Sequence, residues 1–187
     1  MKPSEHQPVA ATRRWLRDAV VGLNLCPFAG SVMNGEQLRV VQTQARSSPA
    51  LLRRLGAELQ LLEADSRIET TLLVHPRVLA EFVDYNEFLE QADALLLALD
   101  LAGVFQIASF HPQYQFAGTS KDAAENYSNR SPYPMLHILR EASLSAAIDS
   151  HPDPAAIPAA NIRRLNQLGT EHMAALHAAC QTGRNKS

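Results

Sequence analysis

The chain has 187 residues, of which 46% are hydrophobic and 19% are charged, and this composition is typical of a single soluble globular domain covering residues 1–187. Seventeen basic and nineteen acidic residues give a net charge of −2, so there is no electrostatic reason to expect a nucleic acid or an anionic membrane as a partner. The two cysteines, Cys26 and Cys180, are too few and too far apart for a disulfide framework.

The amino-terminal residues lack the basic-then-apolar pattern of a secretory signal. No apolar run approaches the roughly eighteen residues that a membrane span requires. Together with the sparse cysteines, these features predict a cytoplasmic protein in a reducing compartment.

Apolar periodicity predicts helices and strands in alternation along the first 110 residues. In chain order, the sequence predicts a helix over about 8–25, a strand over 37–43, a helix over 48–64, a strand over 68–74, a helix over about 77–103 and a strand over 104–110. The order βαβαβ predicts an α/β fold whose small, mainly parallel sheet is flanked by helices. An α+β ferredoxin-like arrangement with antiparallel strands is the main alternative.

The remaining chain is predicted to be helical after a long polar connection. Pro134 is placed in the first turn of a helix that continues to about Ile148, because apolar residues follow at helical spacing. A proline-rich connector and a pair of carboxyl-terminal helices that meet at Gly169 complete the prediction.

The connection itself, residues 110–134, reads FHPQYQFAGTSKDAAENYSNRSPYP. It combines imidazole, carboxylate, amide and guanidinium groups with five aromatic side chains, which is typical of a binding or catalytic loop. In a parallel sheet, His75 and His111 would leave two strands at the same edge, where ligands bind in open α/β sheets. The alternatives are that each His-Pro pair only terminates its strand and that the loop's side chains only cap turns.

The first functional hypothesis is an enzyme that acts on a small anionic molecule in a pocket formed by this loop and the strand carboxyl ends. His111 would transfer a proton, Asp122 or Glu125 would orient it, and Arg130 would clamp the anion. The full candidate set is His111, Asp122, Glu125 and Asn126 as catalytic residues, and Arg130, Tyr114, Tyr127, His75 and Cys26 as substrate-binding residues. On this hypothesis, small phosphates or carboxylates should stabilise the protein through Arg130 and His111.

Two other hypotheses compete with this enzyme. One adds a metal ion held by His75, His111 and either Asp122 or Glu125, although the histidines lack a typical metal-binding spacing. The other is a non-catalytic module in which the aromatic loop binds a protein partner or a ligand. The chain contains none of the motifs GxxxxGK[ST], GxGxxG, HExxH or GxSxG, so the sequence indicates no particular cofactor.

Two segments, GLNLCPFAG at residues 22–30 and FHPQYQFAGTSKDAAENYSNRSPYPMLHILRE at residues 110–141, resemble the bacterial domain-of-unknown-function family 1415. The resemblance covers most of the chain and implies no particular activity. It favours treating the CPFA segment and the loop after Phe110 as two parts of one module. We therefore expect Cys26 to lie beside the loop that contains His111.

Overall fold

The computed structural model describes residues 7–35 and 37–182. This part of the chain forms four strands and seven α-helices. They are α1 (Gln7–Trp15), α2 (Ala29–Asn34), β1 (Leu38–Gln42), α3 (Ser48–Ala64), β2 (Thr70–Val74), α4 (Phe82–Ala98), β3 (Phe105–Phe110), β4 (Met135–Arg140), α5 (Glu141–Ser150), α6 (Ile157–Leu168) and α7 (Thr170–Thr182). A π-helical segment, Leu16–Val21, extends α1, and short 3-10 turns lie at Ala124–Ser128 and Pro154–Ala156.

The strands form one mixed sheet in the order β1-β2-β4-β3. β1 and β2 are parallel, whereas β4 pairs antiparallel with both β2 and β3. The first three strands therefore point in the same direction, and β4 opposes them from between β2 and β3. The predicted α/β class and βαβαβ order are confirmed. The sheet is mixed rather than mainly parallel, because β4 contributes two antiparallel pairings.

The segment after Pro134 is a strand, and the helix predicted there is wrong for residues 135–140. Only Glu141–Ser150 is helical. Met135, Ile138 and Leu139 fit a helical spacing, but Leu136 is also apolar and fully buried. A strand covered on both faces has an almost continuous apolar run, so its sequence resembles a buried helix.

Several predicted helices are confirmed, and others differ at their ends. The helix at 48–64 has the predicted bounds, and the carboxyl-terminal pair meets at Gly169, whose φ of 81° suits glycine. The helix predicted from residue 77 begins only at Phe82, because the chain turns after β2 and Leu79 takes a left-handed φ of 56°. No helix of the described chain is long and apolar enough to cross a membrane.

Alternating strand residues face two different layers of helices. On one face, α3 and α4 cover a core that includes Leu73, Leu136 and Ile138. On the other face, α1 with its π-helical extension and α7 pack against the sheet through a second cluster, which contains Leu72 and Met135. α2 and α5 lie on this second face without contributing a fully buried residue.

We predict that Leu136→Ala lowers the free energy of unfolding by about 2–5 kcal/mol, the usual cost of truncating a buried leucine. In a helix spanning residues 134–148, Leu136 would lie off the apolar stripe and the change would cost little. The matched control is Leu97→Ala on α4, because the Leu97 side chain is 67% exposed. Urea denaturation of both variants measures the difference, and equal stabilities would contradict the central position of β4.

Candidate functional site

His75 and His111 lie at one edge of the sheet, as predicted, because β2 and β3 run in the same direction. The Tyr85 ring of α4 lies against both imidazoles, with centroid distances of 5.8 Å to His75 and 5.1 Å to His111. The Tyr85 hydroxyl donates to the Met135 carbonyl at 2.8 Å and accepts from the Phe110 amide at 3.0 Å. Burial raises the pKa of Tyr85, so this hydroxyl stays protonated and joins β3 to β4.

Both histidines hold the turns that follow their strands. The Nδ1 atom of His111 accepts from the Gln113 amide at 3.0 Å, so its Nε2–H donates to the Leu79 carbonyl at 3.2 Å. His75 donates from Nδ1 to the Val78 carbonyl at 3.0 Å, and its buried Nε2 has no partner in the described chain. Burial lowers the pKa of His111 and lowers the pKa of His75 to about 4. Both rings are therefore neutral near pH 7.

Asn126 and Arg130 are buried and bind the loop's own backbone. The Asn126 carbonyl oxygen accepts from the Phe116 amide and the Thr119 hydroxyl, while its amide group donates to the Ser120 carbonyl. Arg130 donates from Nε to the Tyr114 carbonyl at 3.0 Å and from Nη2 to the Lys121 carbonyl at 2.6 Å.

The other predicted loop residues occupy different environments. The Tyr127 ring lies 4.7 Å from the Arg130 guanidinium carbon and packs among apolar residues of α6, of α7 and of the turn after the π-helical segment. Tyr114 is half-buried, with its ring near Phe82 and Phe116. Asp122 is exposed and Glu125 is half-buried. Within the described chain, neither carboxylate forms a hydrogen bond or an ion pair with His111.

Cys26 lies on the face of the sheet opposite His111, so the expected pairing of these two residues is wrong. Cys26 packs against the cluster of Trp15 and Leu72, whereas His111 contacts α4 and the turn before it. The neighbouring Leu25 does pack against the loop's Tyr127. The Leu25 carbonyl accepts from Asn161 of α6 and not from a loop donor, because α6 lies at the end of this helix.

The hypothesis of a metal site gains no support from the arrangement of ligands. Within residues 7–35 and 37–182, no group of three or more His, Cys, Asp or Glu side chains is close enough to hold an ion. His111 already uses both ring nitrogens in hydrogen bonds to the backbone.

A cavity of about 670 Å³ lies on the second face of the sheet. Residues of all four strands form its floor, and its walls include residues of the π-helical segment, α2 and α5. Most of the lining is apolar. The floor residues are Leu38 of β1, Thr70 and Leu72 of β2, Ala108 and Phe110 of β3, and His137 and Leu139 of β4. We call this feature the sheet cavity.

Two helices with little burial cover the sheet cavity. Phe28 at the start of α2 and His151 at the end of α5 meet edge to face, with ring centroids 6.0 Å apart. Neither α2 nor α5 contains a fully buried residue. Such weakly packed elements are the ones that open most readily in folded proteins.

His137 is the imidazole of the sheet cavity. Its Nε2 atom lies 2.8 Å from the Thr70 hydroxyl, and that hydroxyl lies 2.6 Å from the Ile138 carbonyl. Because a carbonyl only accepts, the Thr70 hydroxyl donates to it, and His137 donates from Nε2 to Thr70. Burial lowers the pKa of His137 to about 4, so the ring is neutral near pH 7.

Two charged residues, Glu69 and Arg140, also line the sheet cavity. The Arg140 guanidinium turns away to the α3 side, where it donates to the Leu62, Asp65 and Ile68 carbonyls. Sequence reasoning missed His137 as a cavity residue. The signal that could have found it is a single polar side chain within the otherwise apolar run 135–139.

Comparison with protein families gives one match, to the family described as "Protein of unknown function (DUF1415)", over residues 7–175. The chain belongs to this family. The match confirms the resemblance found in the two sequence segments and includes every element that forms the sheet cavity. Comparisons with the curated proteins and with the solved structures find no match.

We predict that acid destabilises the protein between about pH 6.5 and pH 4. Histidine in the unfolded chain has a pKa of about 6.5, whereas His75 and His137 bind a proton only near pH 4 in the folded protein. The unfolded state therefore binds more protons in this window, and the free energy of unfolding falls as the pH falls, by up to about 1.4 kcal/mol per pH unit for each residue. Burial also lowers the pKa values of His111 and His177, which act in the same direction.

Urea denaturation at several pH values between 4 and 7 measures this dependence. His137→Leu should reduce the slope of unfolding free energy against pH, because one of the titrating groups is removed. His172→Gln, at an exposed position on α7, is the control. A slope that does not change in His137→Leu would contradict the neutral state of this ring.

We also predict that Arg130→Lys lowers the free energy of unfolding by about 1–3 kcal/mol even without an added anion. A lysine ammonium lacks the planar fork that reaches both the Tyr114 and the Lys121 carbonyls, so one buried acceptor loses its partner. Arg163→Lys, at an exposed position on α6, should change stability by no more than about 0.5 kcal/mol. Equal unfolding free energies for the two variants would contradict the role of Arg130 in closing the loop.

Proposed function

We propose that the protein is a ligand-binding module that holds an apolar small molecule in the sheet cavity. The observation that carries this proposal is the cavity itself, about 670 Å³ in volume, with a mostly apolar lining around one uncharged imidazole. Ligand sites in proteins are usually concave, largely apolar and provided with a few polar groups that orient the ligand. The volume lies within the range of about 300–1,000 Å³ that such sites occupy.

The covering helices supply a route into the sheet cavity. α2 and α5 pack on the second face without a fully buried residue, and the rings of Phe28 and His151 at their ends are in contact. Separating these two rings would expose the cavity without disturbing the strands. The sheet therefore serves as a rigid floor beneath a cover that can open.

An enzyme that acts on a small anion at the 110–134 loop remains the alternative proposal. It receives less support, because His111 uses both nitrogens and Arg130 uses two donors in bonds to the backbone. Thermal melting with inorganic phosphate tests it separately. Stabilisation by phosphate that is lost in Arg130→Lys would favour this alternative over the sheet cavity.

We predict that the neutral, apolar dye N-phenyl-1-naphthylamine binds the sheet cavity. Trp15 is the only tryptophan of the chain and lines this cavity, so a bound dye should quench its fluorescence. Ala147→Phe should abolish the quenching, because Ala147 faces the cavity from α5 and the larger ring fills it.

Ala142→Phe is the matched control on the same helix, at an exposed position outside the cavity lining, and it should retain dye binding. Circular dichroism first establishes that both variants are folded. Absence of dye binding to the wild-type protein would contradict the proposal. Binding that survives Ala147→Phe would place the dye elsewhere and contradict it equally.

A further inference from the structure

The geometry of His137 points to the chemical class of the ligand. We infer that the sheet cavity binds a neutral apolar molecule that carries a hydroxyl or N–H group, and that this group donates a hydrogen bond to Nδ1 of His137. The inference rests on the proposed function, because it concerns the occupant of the same cavity. It adds the polarity, the charge and the anchoring atom of that occupant.

A chain of hydrogen bonds across two strands fixes which ring nitrogen accepts. The Ile138 carbonyl takes the proton of the Thr70 hydroxyl, and the Thr70 oxygen takes the proton on Nε2 of His137. A neutral imidazole carries one proton, so Nδ1 is an acceptor. Strand pairing holds this arrangement in place, since Thr70 and His137 lie on the adjacent strands β2 and β4.

Nδ1 is the acceptor that this hydrogen-bond chain leaves open. No residue of the described chain donates to Nδ1, and this atom keeps some exposed surface. Since His137 lines the cavity, a molecule in the cavity can reach this atom. An apolar ligand without a donor would displace water from Nδ1 and leave this acceptor without a hydrogen bond, which costs binding free energy.

The charges around the cavity favour a neutral ligand over a carboxylate. His137 is half-buried and uncharged near neutral pH, and its free lone pair would repel an anionic oxygen. Of the two charged lining residues, Arg140 directs its guanidinium to backbone carbonyls on the other face, whereas Glu69 is half-buried and in no ion pair with the described residues. Among the described residues, no positively charged group faces the cavity, so a carboxylate would find no partner there.

Three naphthalenes that differ in one substituent test the inference by calorimetric titration at pH 7. 2-Naphthol offers a hydroxyl donor, 2-methoxynaphthalene has no donor, and 2-naphthoate is an anion of similar size. We expect 2-naphthol to bind about fivefold more tightly than 2-methoxynaphthalene, the usual net effect of one neutral hydrogen bond. 2-Naphthoate should bind more weakly than either.

Two variants assign the preference to its atoms. His137→Leu removes the acceptor and keeps an apolar side chain, so 2-naphthol and 2-methoxynaphthalene should bind it about equally. Thr70→Val keeps the side-chain shape and removes the acceptor for Nε2–H, so the proton can move to Nδ1 and the preference for 2-naphthol should weaken. In the wild-type protein, ¹⁵N NMR of the His137 ring should show the proton on Nε2.

The outcomes separate this inference from the proposed function. Equal binding of 2-naphthol and 2-methoxynaphthalene to the wild-type protein, with both lost in Ala147→Phe, overturns the inference and supports the cavity. A preference that survives His137→Leu, or a proton found on Nδ1, also overturns it. If none of the naphthalenes and no N-phenyl-1-naphthylamine binds, the proposed function fails and the inference fails with it. The wild-type measurements decide the matter even if His137→Leu does not fold.

Discussion

The antiparallel insertion of β4 between β2 and β3 determines both faces of the sheet. On the α3 and α4 face, it places Leu136 and Ile138 at the centre of the core and gives the Tyr85 hydroxyl a carbonyl to which it donates. On the opposite face, it brings His137 beside Thr70 and makes both part of the cavity floor. Without this strand, β2 and β3 would be separated, and the two faces would have neither a common core nor a common floor.

The polar residues of the 110–134 loop show how an irregular segment is accommodated inside a fold. Between Phe110 and Met135 its backbone forms no strand and only one short helical turn, so its amides and carbonyls need other partners. Asn126, Arg130 and His111 supply them, each with at least two bonds to the backbone or to a neighbouring side chain. Residue types that are common in catalysis are also the ones able to satisfy a buried turn. Composition alone does not distinguish these uses.

The sequence predicted the elements whose apolar pattern fits only a helix or only a strand. It did not predict the element whose pattern fits both. α3 and the ends of β2 and β3 were predictable. The leucines of α3 recur at helical spacing, and the His-Pro pairs mark the places where the strands end. β4 was not predictable, because a strand buried on both faces and a buried helix share an apolar run. Missing that strand also hid His137, since a helix would have placed its side chain away from Thr70. Cys26 was expected beside the loop because both segments carry the family resemblance, but a shared resemblance does not determine on which face of a sheet a residue lies.

Several carbonyls of the 110–134 loop depend on donors from α7, far along the chain. His177 of α7 donates to the Ser131 carbonyl, 46 residues earlier, Gln181 donates to the Pro132 carbonyl, and Thr170 donates to the Asp122 carbonyl. α7 also packs against α1, so a single helix holds both the loop and the first helix of the described chain. Truncation before α7 would therefore expose these loop carbonyls to solvent and uncover part of α1, while every residue of the sheet and of the α3–α4 layer would remain.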